Sequence, residues 1–167
     1  NDTTAEIRTG ATLAGAGSLY ALRTLDAGAN ALSNLDPLDA CKDLQAIRAE
    51  GNALTSLAGL ESLTNLVLLD VSHNELAELG PLSGLTGLTT LYADHNQLGA
   101  LDALAGLTQL TVVDVSANGI TSIAPLLQNA GQGGLGAGDQ VYLSGNPLIN
   151  TGEVATLRGY GVSVVFP

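Results

Sequence analysis

Asparagine returns at Asn30, Asn52, Asn74, Asn96 and Asn118, a step of 22 residues each time. A sequence that repeats itself at a fixed step of this length is built as a stack of similar units, each burying its neighbour. The frame around every asparagine is the same. LRTLDAGANAL, LQAIRAEGNAL, LVLLDVSHNEL, LTTLYADHNQL and LTVVDVSANGI all fit L-x-x-L-x-L-x-x-N-x-L, with Ile, Val or Ala allowed at the apolar places. Asn146, in VYLSGNPL, closes a sixth copy after a longer step of 28 residues. Between the asparagines leucines recur at every third position: Leu54, Leu57, Leu60, Leu63 and Leu66, then Leu76 to Leu88, then Leu98 to Leu110.

Two periods inside one repeat imply two kinds of backbone. The x-L-x-L-x stretch alternates with period two and predicts a short strand. Strands of successive turns should lie parallel, about 4.8 Å apart. The return path, apolar at every third residue and punctuated by Gly59, Gly80, Pro81, Gly84 and Gly106, suits a 3-10 or extended connection rather than a long α-helix. The expected fold is therefore an α/β solenoid: a right-handed coil with a parallel sheet on the concave side and 3-10 or extended segments on the convex side. The six asparagines are read as a structural ladder. An inward amide can both donate and accept, and so satisfy the backbone groups left inside each sharp turn.

The core must be made of aliphatic side chains, because Trp and Met are absent, Phe occurs once and aromatic residues are 3% of the chain. Cys41, the only cysteine, precludes an intrachain disulfide and falls where Leu63, Leu85 and Leu107 fall in later repeats. It reads as a small buried hydrophobe, not a reactive thiol. The net charge of −11 with a single lysine, Lys42, argues against nucleic acid and against an anionic membrane surface. The acidity is read as an aid to solubility, in a salty or extracellular medium. No run is long enough to span a membrane and no basic–apolar leader is present. The chain starts at Asn1 and contains no Met, so it is expected to be a processed or trimmed product.

On these motifs the chain resembles the leucine-rich repeat proteins, in particular the 22-residue subclass found in bacterial internalins and in the regulatory subunit of a eukaryotic phosphatase. The resemblance covers about residues 19–148. The tail, SIAPLLQNAGQGGLGAGDQVYLSGNPL followed by GYGVSVVF, is similar to the closing segment of many bacterial exported proteins of this family. Membership implies a solenoid, usually a binding module for protein; this chain is expected to act as a monomer, outside the cell or on its surface. Membership implies no particular partner and no chemistry.

One domain is expected, divided into an N-terminal cap (1–21), regular repeats (22–121), an enlarged last repeat (122–148) and a C-terminal cap (149–167). In the N-terminal cap Leu13, Ala16 and Leu19 fall one period before Leu35, Leu38 and Cys41, with Ile7 closing the open end. A short helix is expected over 122–129, and the Gly-rich segment 131–138 reads as a flexible insertion. Asn150 followed by Glu153 has the spacing of a capping box and predicts a helix to about Arg158. Val162, Val164 and Phe166 then alternate as a last strand.

In this register the outward positions form columns. Four residues before each asparagine stand Asp26, Arg48, Asp70, Tyr92, Asp114 and Tyr142; two before stand Gly28, Glu50, Ser72, Asp94, Ser116 and Ser144; six before stand Thr24, Ala46, Leu68, Thr90, Val112 and Gln140. The candidate binding face is Arg48, Glu50, Leu68, Asp70, Tyr92, Asp94, Val112, Asp114 and Tyr142. Tyrosines in a polar surround are a usual interface type; the competing reading is a merely solvated face. His73 and His95, one repeat apart with Asp94 nearby, are a candidate weak metal site. The commoner reading is a surface ring pair, and no cofactor is expected. No nucleophile–base pair and no phosphate loop emerges, so an enzyme is not expected. The leading function is a protein-binding module, extracellular or on a cell surface; the alternative is a structural or adhesive spacer in a larger envelope protein.

Overall fold

The period-two stretch of every repeat becomes a strand of three residues whose middle side chain is buried. A computed structural model describes residues 4–6, 21–148 and 150–166. Its strands are β1 (Thr4–Glu6), β2 (Thr24–Asp26), β3 (Ala46–Arg48), β4 (Leu68–Asp70), β5 (Thr90–Tyr92), β6 (Val112–Asp114), β7 (Gln140–Tyr142) and β8 (Ser163–Val165). They form one parallel eight-stranded sheet in the order β1 to β8. Leu25, Ile47, Leu69, Leu91, Val113, Val141 and Val164 stand in register along its inner face. Backbone pairing runs past each strand: Ala49 N–H donates to Asp70 O at 2.8 Å and His73 N–H to Asp94 O at 2.9 Å. Each turn thereby covers its neighbour's edge.

The leucines spaced by three have a direct cause. Leu60 N–H donates to Leu57 O, Leu63 N–H to Leu60 O and Leu66 N–H to Leu63 O. Bonds between residues three apart set about three residues per turn, so every third side chain returns to the same face. Short 3-10 helices occur at Asp36–Leu38, Gly80–Leu82 and Asp102–Leu104. Pro37 and Pro81 stand second in two of them, within the first turn, where a missing N–H costs nothing. The leucines of these rows from Leu54 to Leu110 are all buried.

The asparagines tie each turn to the one before it. Asn74 Nδ2 donates to Ala49 O of the preceding turn (3.0 Å) and to Val71 O and Ser72 O of its own (both 3.1 Å), while its Oδ1 accepts from Leu54 N–H at 2.9 Å. Asn52, Asn96 and Asn118 repeat the set. Asn146 reaches Val115 O and Leu143 O and accepts from Ile120 N–H. Asn30 donates to Ala27 O and Gly28 O.

Cys41 is fully buried. Burial pushes its thiol pKa up; Asp39 adds to the rise and Lys42 opposes it. The thiolate is the reactive species, so Cys41 is expected to be inert to Ellman's reagent in the native protein and to react fully in guanidinium. Rapid labelling of the native chain would mean that this turn opens.

At the C-terminal end α1 spans Ala124–Gly131, two residues later than the sequence predicts, and α2 spans Gly152–Gly159. The capping box is not made. Glu153 turns away from its own helix and accepts from Ser122 Oγ (3.0 Å) and Ile123 N–H (2.6 Å). A carboxylate there faces the positive end of α1, whose N-cap residue, Ile123, offers no side-chain hydrogen bond. Asn150 Oδ1 instead accepts from Gly152 N–H. The Gly-rich segment is held, not loose: Leu135 is buried and Asp139 Oδ2 accepts from Gly136 N–H at 2.7 Å. Val162 and Val164 are buried around β8 and Phe166 packs against the core. β1 pairs with β2; Ile7, Leu13, Ala16 and Leu19, the expected N-terminal cap, lie outside the described residues.

Candidate binding face

The residues that flank the buried centre of each strand face away from the core, and among the described residues no helix packs across the middle of that face. Helices α1 and α2 pack on each other, α1 on the 3-10 helix Asp102–Leu104 and α2 on β8. Strand register therefore sets the spacing of the candidate residues. Arg48, Asp70, Tyr92, Asp114 and Tyr142 occupy matched positions in consecutive strands. Leu68 and Val112 flank Thr90 in the adjoining column. Arg48 is exposed, while Leu68, Asp70, Tyr92, Val112, Asp114 and Tyr142 are half-buried against their neighbours.

Several of these side chains are held in place. Asp70 Oδ1 accepts from Ser72 N–H (3.1 Å) and Oγ (2.7 Å), and Asp114 Oδ1 accepts from Ser116 N–H (3.0 Å) and Oγ (2.6 Å). Tyr92 lies between those two carboxylates in register. Tyr142 donates to Gln140 Oε1 at 2.6 Å. Glu50 lies over Gly28, where a Cβ would collide with its carboxylate. Its Oε2 is shielded from solvent and has no hydrogen bond among the described residues. The two serine–aspartate pairs were missed in the sequence, although D-V-S recurs at Asp70–Ser72 and Asp114–Ser116 as a visible signal.

The turn between those two differs. It carries Tyr92 and Asp94, which moves the carboxylate two residues along the strand and against the histidines. Asp94 Oδ2 lies 2.8 Å from His95 Nδ1 and 3.7 Å from His73 Nε2. The imidazoles stack with centroids 4.2 Å apart and planes at 15°. Asp70 and Asp114, the other acids that the sequence places near this pair, are engaged by their serines instead. His73 and His95 both have left-handed backbones, with φ of 53° and 52°. Ala29, Gly51, Ala117 and Gly145 share that conformation in the other turns, so the repeat demands it of whichever residue precedes the asparagine.

The comparisons with known proteins agree with this geometry. A family model for leucine-rich repeats, two copies long, matches residues 64–105 and 86–128. No curated protein matches the sequence significantly. Among solved structures, an internalin of Listeria monocytogenes (inlF) superposes with a TM-score of 0.82 at 23% identity, covering 93% of this chain and 46% of its own. Internalin C2 of the same species gives 0.72 at 22% identity, covering 97% of this chain and 77% of its own. A leucine-rich repeat protein of Leptospira interrogans gives 0.77 at 24%, covering 91% of this chain and 38% of its own. The chain thus spans less than half of the first and the third. At these identities the likeness is one of fold.

Proposed function

We propose that this chain, a leucine-rich repeat protein of internalin-like type, is a protein-binding module that presents the concave face of its sheet to a partner. The leucine-rich repeat fold suggests a protein-interaction module; the face and the location are the finer claim. The supporting observation is the register of Arg48, Asp70, Tyr92, Asp114 and Tyr142 across five adjacent strands of an open face. Large amphipathic side chains held by their neighbours lose little entropy on docking. Tyrosine and arginine are also the side chains that most often carry interface energy. The acidic companions Asp70, Asp94 and Asp114 favour a partner surface with basic groups. The same reading places the module outside the cell or on its surface, as for the exported bacterial proteins it resembles. No helix among the described residues is long and apolar enough to cross a membrane. Monomeric action and the absence of catalysis and nucleic-acid binding belong to this proposal too.

The test is capture from extracellular and surface fractions by the wild type and by an Arg48→Ala, Tyr92→Ala, Tyr142→Ala variant. Each anchor is expected to contribute about 1–2 kcal/mol, so the triple change should weaken a captured partner by at least about 100-fold. Equal capture by both proteins would rule out this face. Capture by neither would favour the second reading, a structural or adhesive spacer within a larger envelope protein.

A further inference from the structure

We infer that His73, Asp94 and His95 form a binding site for one divalent transition-metal ion of the zinc class, at the rim of the sheet face. One ligand atom from each of the three lies within 4.8 Å of the others. Two imidazole nitrogens and one carboxylate oxygen are the donor set of open zinc sites, with bonds of about 2.0–2.2 Å and a fourth position left for water or an outside donor. Nitrogen donors of this kind also discriminate against calcium and magnesium, which prefer oxygen.

The site has one held ligand and two movable ones. The Asp94 side chain is 17% exposed, whereas His73 is 59% and His95 55% exposed. Imidazole lone pairs lie in the ring plane, and two nearly parallel rings 4.2 Å apart cannot both aim at one point. One ring must leave the stack to close around an ion. Its exposure allows that rotation without disturbing the core, while the carboxylate already stands beside both nitrogens.

Two features separate this cluster from a chance by-product of the repeat. The D-x-S arrangement of the flanking turns, in which serine engages the carboxylate, is replaced in the β5 turn by Tyr92 and Asp94, leaving that carboxylate to the histidines. The backbone also does not call for histidine. A left-handed conformation costs an L-residue about 1–2 kcal/mol, and Gly51 and Gly145 meet the same need in other turns.

Zinc chloride titrated into the untagged chain, followed by calorimetry, tests the site. One ion per chain is expected. Loss even of groups that only orient metal ligands costs about 10–100-fold. His73→Ala, His95→Ala and Asp94→Asn should therefore each weaken binding by more than about tenfold, and the His73→Ala, His95→Ala double variant should abolish it. Alanine already occupies the same backbone conformation at Ala29 and Ala117, so the variants should fold, and circular dichroism checks that they do. Undiminished uptake by the double variant, or no uptake by the wild type at millimolar zinc, overturns the assignment. The ion is read on the isolated chain, so this outcome is independent of any protein partner.

Discussion

Replacing Asn129 with alanine is expected to cost the fold about 3 kcal/mol, measured by urea unfolding. Asn129 is fully buried in α1. Its Nδ2 donates to Leu104 O and Leu107 O, both at 2.9 Å, and its Oδ1 accepts from Leu135 N–H at 2.8 Å. The three losses are unequal. Both carbonyls keep a backbone partner, from Leu107 N–H and Leu110 N–H. Leu135 N–H is left with no acceptor inside the protein, and a stranded buried donor is the larger penalty. Asn129→Asp should be worse, because it keeps the acceptor but aims a charge at two carbonyl oxygens. Hydrogen exchange at Leu135 should rise with the stability loss, since the Asn129 side chain joins this amide to the carbonyls of the last full turn. A change of less than about 1 kcal/mol would mean that the segment is held by other contacts.

Gly59→Ala is expected to lower stability by about 3 kcal/mol, from overpacking and left-handed strain together. Gly59 has φ of 92°, and a Cβ there would stand 2.7 Å from Asp36 Cα and 2.8 Å from Leu35 O. Both are backbone atoms of the preceding turn, so nothing nearby can rotate away. The turns would have to separate, and in a stack each turn's stability depends on its neighbours. Gly106→Ala is the matched control. A Cβ at Gly106 meets nothing within 4 Å and its φ is not left-handed, so stability should be unchanged or rise by about 0.4–1 kcal/mol. Equal losses in both variants would remove the steric explanation.

Much of the architecture was legible because the same physics acts in every turn. Asn74 must satisfy the backbone of its own bend and of the bend before it, so the requirement recurs with the repeat and shows as a column. Leu57, Leu60, Leu63 and Leu66 are spaced by three because the backbone makes a turn every three residues. The last strand was visible from Val162 and Val164, whose alternation survives beyond the final repeat. Features that occur once left no such column. Asn129 looked like the end of a helix, and nothing local shows that its amide reaches Leu104 and Leu107. Glu153 carried the spacing of a capping box, yet a different helix end lay within reach and won its carboxylate.

The sequence alone determined the coil, its strand register, the alternation of inner and outer columns and the aliphatic core, since each follows from a period and periods are local. Only the tertiary structure decided how unique polar side chains pair. It assigned Asp70 and Asp114 to their own serines and so away from the histidines, Glu153 to the start of α1 and Asn129 to the Gly-rich segment. Those choices depend on which donors lie within about 3 Å in space, and stacking brings together residues that are 20 to 30 positions apart along the chain.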